Sequence, residues 1–174
     1  MNGFRKIDPK ELKNAVELIG SDWMLITVKD EQVGKVNAMT ASWGCMGVLW
    51  NKPVCVIFIR PQRYTYPLTE KEERFSLAFL GEEHRDALRL CGTLSGRDSD
   101  KLSLAGLHTA KSNGVDVIEE AECFLVVKKL YADDLKEASF FDSSLLANYK
   151  AGDFHRFYVC EIEAAYTKAK QELS

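Results

Sequence analysis

Three segments of the chain carry residue types that could do chemistry together. The first is Asn37-Ala38-Met39-Thr40-Ala41-Ser42-Trp43-Gly44, a strand-like run in which nearly every second side chain is small or bears a hydroxyl. Ordinary strands prefer bulk. In an extended chain Ala38, Thr40 and Ser42 share one face while Met39, Ala41 and Trp43 share the other. The first face therefore offers two hydroxyls and little obstruction to a flat ligand lying against the backbone. A strand packed tightly against a neighbour would use small residues in the same way. The second segment, Arg60-Pro61-Gln62-Arg63-Tyr64-Thr65, ends the apolar run Val54-Cys55-Val56-Ile57-Phe58-Ile59. Guanidinium groups are planar, permanently charged donors suited to phosphate oxygens. A threonine hydroxyl and the amides of a following helical turn would complete an anion site. Ion pairing with Glu70, Glu72 or Glu73 is the competing use of those arginines. The third segment is Ser95-Gly96-Arg97-Asp98-Ser99-Asp100-Lys101, a glycine-containing loop leading into a short helix. Lys101, one turn past a cap at Asp98, is placed to reach a polar ligand edge or a phosphate.

Other chemical signatures are missing. There is no G-x-G-x-x-G after a strand, no Walker lysine motif, no H-E-x-x-H and no G-x-S-x-G, which removes the usual signatures of dinucleotide, triphosphate, zinc-protease and serine-hydrolase chemistry. Gly44-Cys45-Met46-Gly47 has the bare spacing of a nucleic-acid-clamping loop, but it follows a strand and lacks adjacent basic residues. The histidines, His84, His108 and His155, do not stand beside other ligands at metal-binding spacing, so no metal site is expected. A balance of 23 Lys and Arg against 26 Asp and Glu leaves a net charge of −3, which argues against a broad nucleic-acid footprint. The cysteines, Cys45, Cys55, Cys91, Cys123 and Cys160, are odd in number and form no C-x-x-C pair. They read as reduced thiols in a cytoplasmic protein. Cys45 is expected to be a small buried apolar residue rather than a low-pKa thiolate. No apolar run approaches the ~20 residues of a bilayer span, and the first residues lack a secretory apolar stretch.

The elements that would position these segments are mostly strands. Asp8-Pro9-Lys10-Glu11 has the order of an N-cap, a first-turn proline and an N3 glutamate, and Leu12, Ala15, Val16 and Ile19 follow at helical spacing up to Gly20; one short amphipathic helix is expected. Residues 23–28, 35–43, 54–59 and 74–80 are rich in β-branched and aromatic residues and read as strands. Helical excursions are expected at 82–90 and, capped by Asp98, through Lys101 to Leu104. Residues 124–130 and 154–164 return to strand, with Tyr158, Cys160 and Ile162 on one face. Six or more strands with few helices and no regular strand-helix alternation favour a closed or partly closed antiparallel barrel.

In order and approximate spacing, N-A-M-T-A-S-W-G, then R-P-Q-R-Y-T after the next strand, then S-G-R-D-S-D-K resemble the flavin reductase-like, FMN-binding split-barrel family that includes the flavoredoxins. The resemblance runs from about residue 23 to about residue 163, and G-D-F-H-R-F-Y-V-C-E-I at 152–162 looks like the family's last strand. It implies a mainly β split barrel of six or seven strands. Residues 1–174 would form one FMN-binding domain, with an N-terminal helix at 1–20 and a tail at 165–174. It also implies a homodimer holding FMN where the subunits meet, and neither nucleic-acid nor membrane partners. Carried over, Asn37, Ala38, Met39, Thr40, Ala41, Ser42 and Trp43 flank the isoalloxazine, the segment Arg60, Pro61, Arg63 and Thr65 holds the phosphate, and Lys101 reaches the cofactor. His155 matches the family's late histidine and either touches the flavin or bridges strands. The implied activity is electron transfer from NADH or NADPH through FMN to a flavin, protein or small-molecule acceptor. An FMN-containing electron carrier or flavin-storage protein is the alternative. A bound flavin accepts hydride itself, so no acid-base pair is required of the protein.

Overall fold

The computed structural model describes residues 3–169. The strands are β1 (Phe4–Ile7), β2 (Met24–Asp30), β3 (Lys35–Ala41), β4 (Gly44–Leu49), β5 (Lys52–Ile59), β6 (Arg74–Phe79), β7 (Thr109–Ser112), β8 (Val115–Ile118), β9 (Cys123–Asp134) and β10 (Arg156–Lys168). Between them lie α1 (Ala15–Gly20), α2 (Thr65–Lys71), α3 (Arg85–Thr93) and α4 (Lys101–Leu104). The main sheet runs β3-β2-β6-β9-β10-β5-β4, with β1 added on β10, and β7 and β8 form a separate hairpin. Every pairing is antiparallel.

The ends of that path are β3 and β4, yet only Ser42 and Trp43 separate them in the chain. A flat sheet cannot meet both conditions, so the sheet curls into a partly closed barrel. The corner is tight because Gly44 lets the chain approach β5: a Cβ there would lie 2.7 Å from the Val56 carbonyl oxygen. Inside the curl sit Met24, Ile26, Met39, Ile57, Ile59, Phe75, Leu77 and Tyr158. Leu25, Ala38, Ala78, Leu88, Phe124 and Val126 form a second cluster beneath α3, α4 and the β7-β8 hairpin. Because β2 is buried on both faces, Met24–Val28 show no apolar-polar alternation, and Thr27 is the one polar residue among them.

Several expectations about local structure are corrected. The N-terminal stretch is not one helix: 4–7 form β1, Pro9–Glu11 form a 3-10 turn with the anticipated Asp8–Glu11 capping box, and the chain then extends at Leu12. Asn14 starts α1 afresh by accepting from the Val16 amide at 2.9 Å, since a short polar side chain competes for backbone donors and interrupts a helix. Asp100, not Asp98, caps α4; the Asp98 and Ser99 amides instead donate to the Ser95 carbonyl at 3.2 Å. The supposed tail is structural through Lys168, because β10 carries Ala165–Lys168 against β1; residues 170–174 lie outside the described residues.

Candidate functional site

Arg63 sits in the turn between β5 and α2, where its amide closes on the Arg60 carbonyl at 3.0 Å. Six of the chain's eight arginines pair with a carboxylate: Arg5 with Glu11, Arg60 with Asp153, Arg74 with Glu163, Arg85 with Glu82, Arg89 with Asp86, and Arg156 with Glu70 and Asp134. Among the described residues, Arg63 and Arg97 have no such partner. Half-burial pulls the Arg63 pKa down from its ordinary value. A guanidinium removed from water without a counter-charge is costly, and it is the arrangement an external anion would compensate. Of the three glutamates that competed for it in sequence, Glu70 holds Arg156 and the Tyr158 hydroxyl, Glu73 holds Lys128, and Glu72 makes no ion pair with Arg63.

Two concavities meet at Arg63. The larger, about 280 Å³, is an open cleft lined by Met39 to Trp43 from β3 and its corner, by Phe58 and Arg60, by Arg63 and by His155. The smaller is a recess of about 90 Å³ whose walls include Arg63, Thr65, Ser95, Gly96 and Lys101. Ser42 and Arg63 therefore share one cavity. β3 pairs only with β2, so the edge of β3 away from β2 has backbone donors and acceptors with no strand partner.

Lys101 reinforces the positive character of the recess. It is only 4% exposed, its Nζ donates to the Cys91 carbonyl at 3.3 Å, and it has no carboxylate partner among the described residues. Burial, helped by the Arg63 charge, lowers its pKa to about 8. Thr65, also buried, accepts from Asn37 Nδ2 at 2.8 Å, which leaves its own hydroxyl hydrogen for an acceptor in the recess. Asn37 Oδ1 is buried and lacks a donor. Gly96 makes this packing possible, because a Cβ there would fall on Asn37 Oδ1 and 2.8 Å from Tyr64 Cδ1.

The remaining sequence candidates divide. Arg60 faces the cleft, but its charge is engaged by Asp153, by the Asn148 carbonyl at 2.9 Å and by the Tyr149 ring. Ala38 belongs to the core, and the Thr40 hydroxyl donates to the Leu88 carbonyl at 2.6 Å while α3 approaches through Gly92. The small residues of β3 thus make room for a helix on one face, and the cleft takes the end of the strand. Pro61 is exposed on the turn and lines neither cavity. His155 is buried, with Nδ1 3.0 Å from the Tyr149 hydroxyl and its ring 5.0 Å from that of Trp43. Burial, with Arg60 nearby, lowers its pKa to about 4, so the ring is neutral at pH 7. Cys45 is exposed on β4 and not buried as expected; partial desolvation and the neighbouring Cys55 raise its thiol pKa, the opposite of an activated thiolate. The sequence reading missed Phe58 as a wall of the cleft. Its position between the core-facing Ile57 and Ile59 was the available signal, since alternation turns it to the opposite face.

A family model described as the flavin reductase like domain matches residues 16–173. The chain belongs to that family. A curated Escherichia coli (strain K12) relative, described as uncharacterized protein YddH, is 30% identical over 115 residues, which cover 64% of this chain. The match spans 60% of that relative's length. Among solved structures, an FMN-binding protein from Thermus thermophilus with bound p-hydroxybenzaldehyde superposes with a TM-score of 0.68 at 22% identity, covering 97% of this chain and 83% of the other. A flavoredoxin from Methanosarcina acetivorans gives 0.66 at 22% identity, covering 97% and 79%. These flavin reductase-like neighbours share the split-barrel fold that the sequence led us to expect.

Proposed function

We propose that the protein binds FMN in the cleft and recess and works as an NAD(P)H-dependent oxidoreductase. The observation that carries this reading is the half-buried Arg63 guanidinium with no protein acceptor, set between an open cleft and a recess walled by buried Lys101 and Thr65. A phosphate ester brings about −1.5 to −2 charge and three strong acceptors, which matches two uncompensated cations and a hydroxyl donor. The orphaned Asn37 Oδ1 beside Thr65 also fits a site that is completed from outside the chain. FMN, when bound, supplies hydride acceptance and electron transfer.

The protein's own part is to bind, orient and exclude water. Arg63, Lys101 and Thr65 hold the anionic end. Ser42, Trp43 and the free edge of β3 border the cleft where a planar ring would lie, with Phe58 as an apolar wall. Neutral His155, held by the Tyr149 hydroxyl, braces Trp43. No side chain here needs to carry a proton for the hydride step.

The cleft is open to solvent on one side, and Trp43 at its rim is 45% exposed. Val48 and Leu49 at the far end of β4, and Trp50 in the turn after it, are exposed as well. Both features support a homodimer whose second subunit supplies the missing wall. We read the whole chain as a single FMN-binding domain with a cytoplasmic location; no helix among the described residues is long and apolar enough to cross a membrane. The electron acceptor is a flavin, a protein or a small oxidised compound.

Absorption of the protein saturated with FMN, followed anaerobically on mixing with NADH and with NADPH, tests this. Rapid bleaching with either nucleotide is expected. Bleaching only by a reduced partner protein would move the assignment to an electron carrier, and failure to take up FMN would overturn the site.

A further inference from the structure

The recess is assembled from two segments that lie outside the strands: the β5-α2 turn, which brings Arg63 and Thr65, and the loop before α4, which brings Ser95 and Gly96 and leads into Lys101. Tyr64, between Arg63 and Thr65 in the chain, links them and is itself held at three points. Its hydroxyl donates to Oδ2 of Asp30. The Arg97 guanidinium lies 5.1 Å from the centre of its ring, and the ring edge meets Gly96, where a Cβ would fall 2.8 Å from Tyr64 Cδ1. One side chain thus ties the end of β2, the turn and the loop together.

Asp30 ends β2 and is buried. Its two oxygens have separate partners. Oδ1 accepts from the Gln32 amide at 3.0 Å, the contact of an ordinary aspartate turn between β2 and β3. Oδ2 meets the Tyr64 hydroxyl, 34 residues away in the chain. The turn needs only the first contact, and asparagine would supply it. Burying a full carboxylate is costly unless its bonds are well made, and a phenol donating to a carboxylate makes a charge-assisted one. The Tyr64 hydroxyl foremost, against the opposing effect of burial, holds the Asp30 carboxyl below its ordinary pKa. Asp30 lines neither the cleft nor the recess. Its charge therefore acts on the site only through Tyr64.

We propose that Asp30 is a positioning residue for the anion site: through the Tyr64 hydroxyl it fixes the turn that aims Arg63 and Thr65 and the loop that leads to Lys101. It governs affinity for the phosphate end of the ligand without touching it. This rests on the FMN reading of the Arg63 site and extends it to a residue of another element.

The test compares FMN with riboflavin, which has the same ring and no phosphate, by quenching of flavin fluorescence. The native chain should prefer FMN. Tyr64→Phe keeps the ring beneath Arg97 and against Gly96; it should lower that preference roughly tenfold, the order of effect of losing an outer supporting bond, and leave riboflavin affinity unchanged. The same variant leaves the Asp30 charge without its phenol and should be less stable. Tyr64→Phe combined with Asp30→Asn removes that charge and keeps the Gln32 contact, so stability should recover while the preference for FMN stays low. An unchanged preference in Tyr64→Phe, an equal loss of both flavins, or a preference restored in the double variant would overturn the proposal. If the native chain takes up neither flavin, the FMN reading fails by itself, and inorganic phosphate decides this one through the thermal midpoint. Stabilisation by phosphate that both Arg63→Gln and Tyr64→Phe abolish supports the positioning role. Stabilisation that survives in Tyr64→Phe, or none in the native chain, refutes it.

Discussion

Replacing Arg63 by glutamine separates a binding residue from a structural one. In the ligand-free chain the Arg63 guanidinium is half-buried, has no carboxylate partner among the described residues and has its pKa drawn down by desolvation. Removing that charge takes away a cost and no ion pair, so thermal stability should stay the same or rise. With FMN bound, the same change removes a charge-assisted contact to phosphate worth about 1.5–3 kcal/mol, or roughly ten- to a hundredfold in Kd. The assay is FMN titration by fluorescence quenching beside thermal denaturation of the ligand-free protein. Arg60→Gln is the contrasting variant, because it breaks the pair with Asp153 and the bond to the Asn148 carbonyl; it should lower the melting temperature. An unchanged FMN affinity in Arg63→Gln, or a loss of stability equal to that of Arg60→Gln, would refute the reasoning.

Further outcomes follow from the same geometry. Lys101 has its free-state pKa near 8, and an anion beside it raises that value, so FMN affinity should hold below pH 8 and decline as pH rises through it; a binding curve flat from pH 7 to 9.5 would contradict the contact. His155 titrates near 4 in the folded chain against about 6.5 unfolded. The unfolded state therefore binds the extra proton first, and up to about 3 kcal/mol of stability should be lost as pH falls from 6.5 to 4, with no further loss from this group below that; His155→Gln should flatten this part of the profile in chemical denaturation. Gly96→Ala drives a methyl into Asn37 and Tyr64, and should cost about 1–3 kcal/mol while weakening FMN binding; a fully stable, fully binding variant would show that the loop moves freely.

Much of this was legible in the residues. The apolar strands and the Arg63 corner carried strong local signals, and the antiparallel barrel followed from them. Strand β4 did not, because Gly44 and Gly47 dilute its composition and its turn is Trp50-Asn51, both with positive φ, rather than a favoured Asn-Gly pair. The β7-β8 hairpin does carry that signal in Asn113-Gly114, both with positive φ. The roles of Arg60 and Arg63 were inseparable in sequence, since only the fold brings Asp153, 93 residues from Arg60, to one and not the other. The small residues of β3 had two possible explanations, and the structure uses both: Ala38 and Thr40 admit α3, and Ala41 and Ser42 border the cleft.

The most direct measurement is a crystal structure of the protein with FMN. The account predicts the phosphate within hydrogen-bonding distance of Arg63 Nη, Lys101 Nζ and Thr65 Oγ1, with the ring system in the cleft beside Ser42 and Trp43. A phosphate held elsewhere, with Arg63 still lacking an anionic partner, would contradict it.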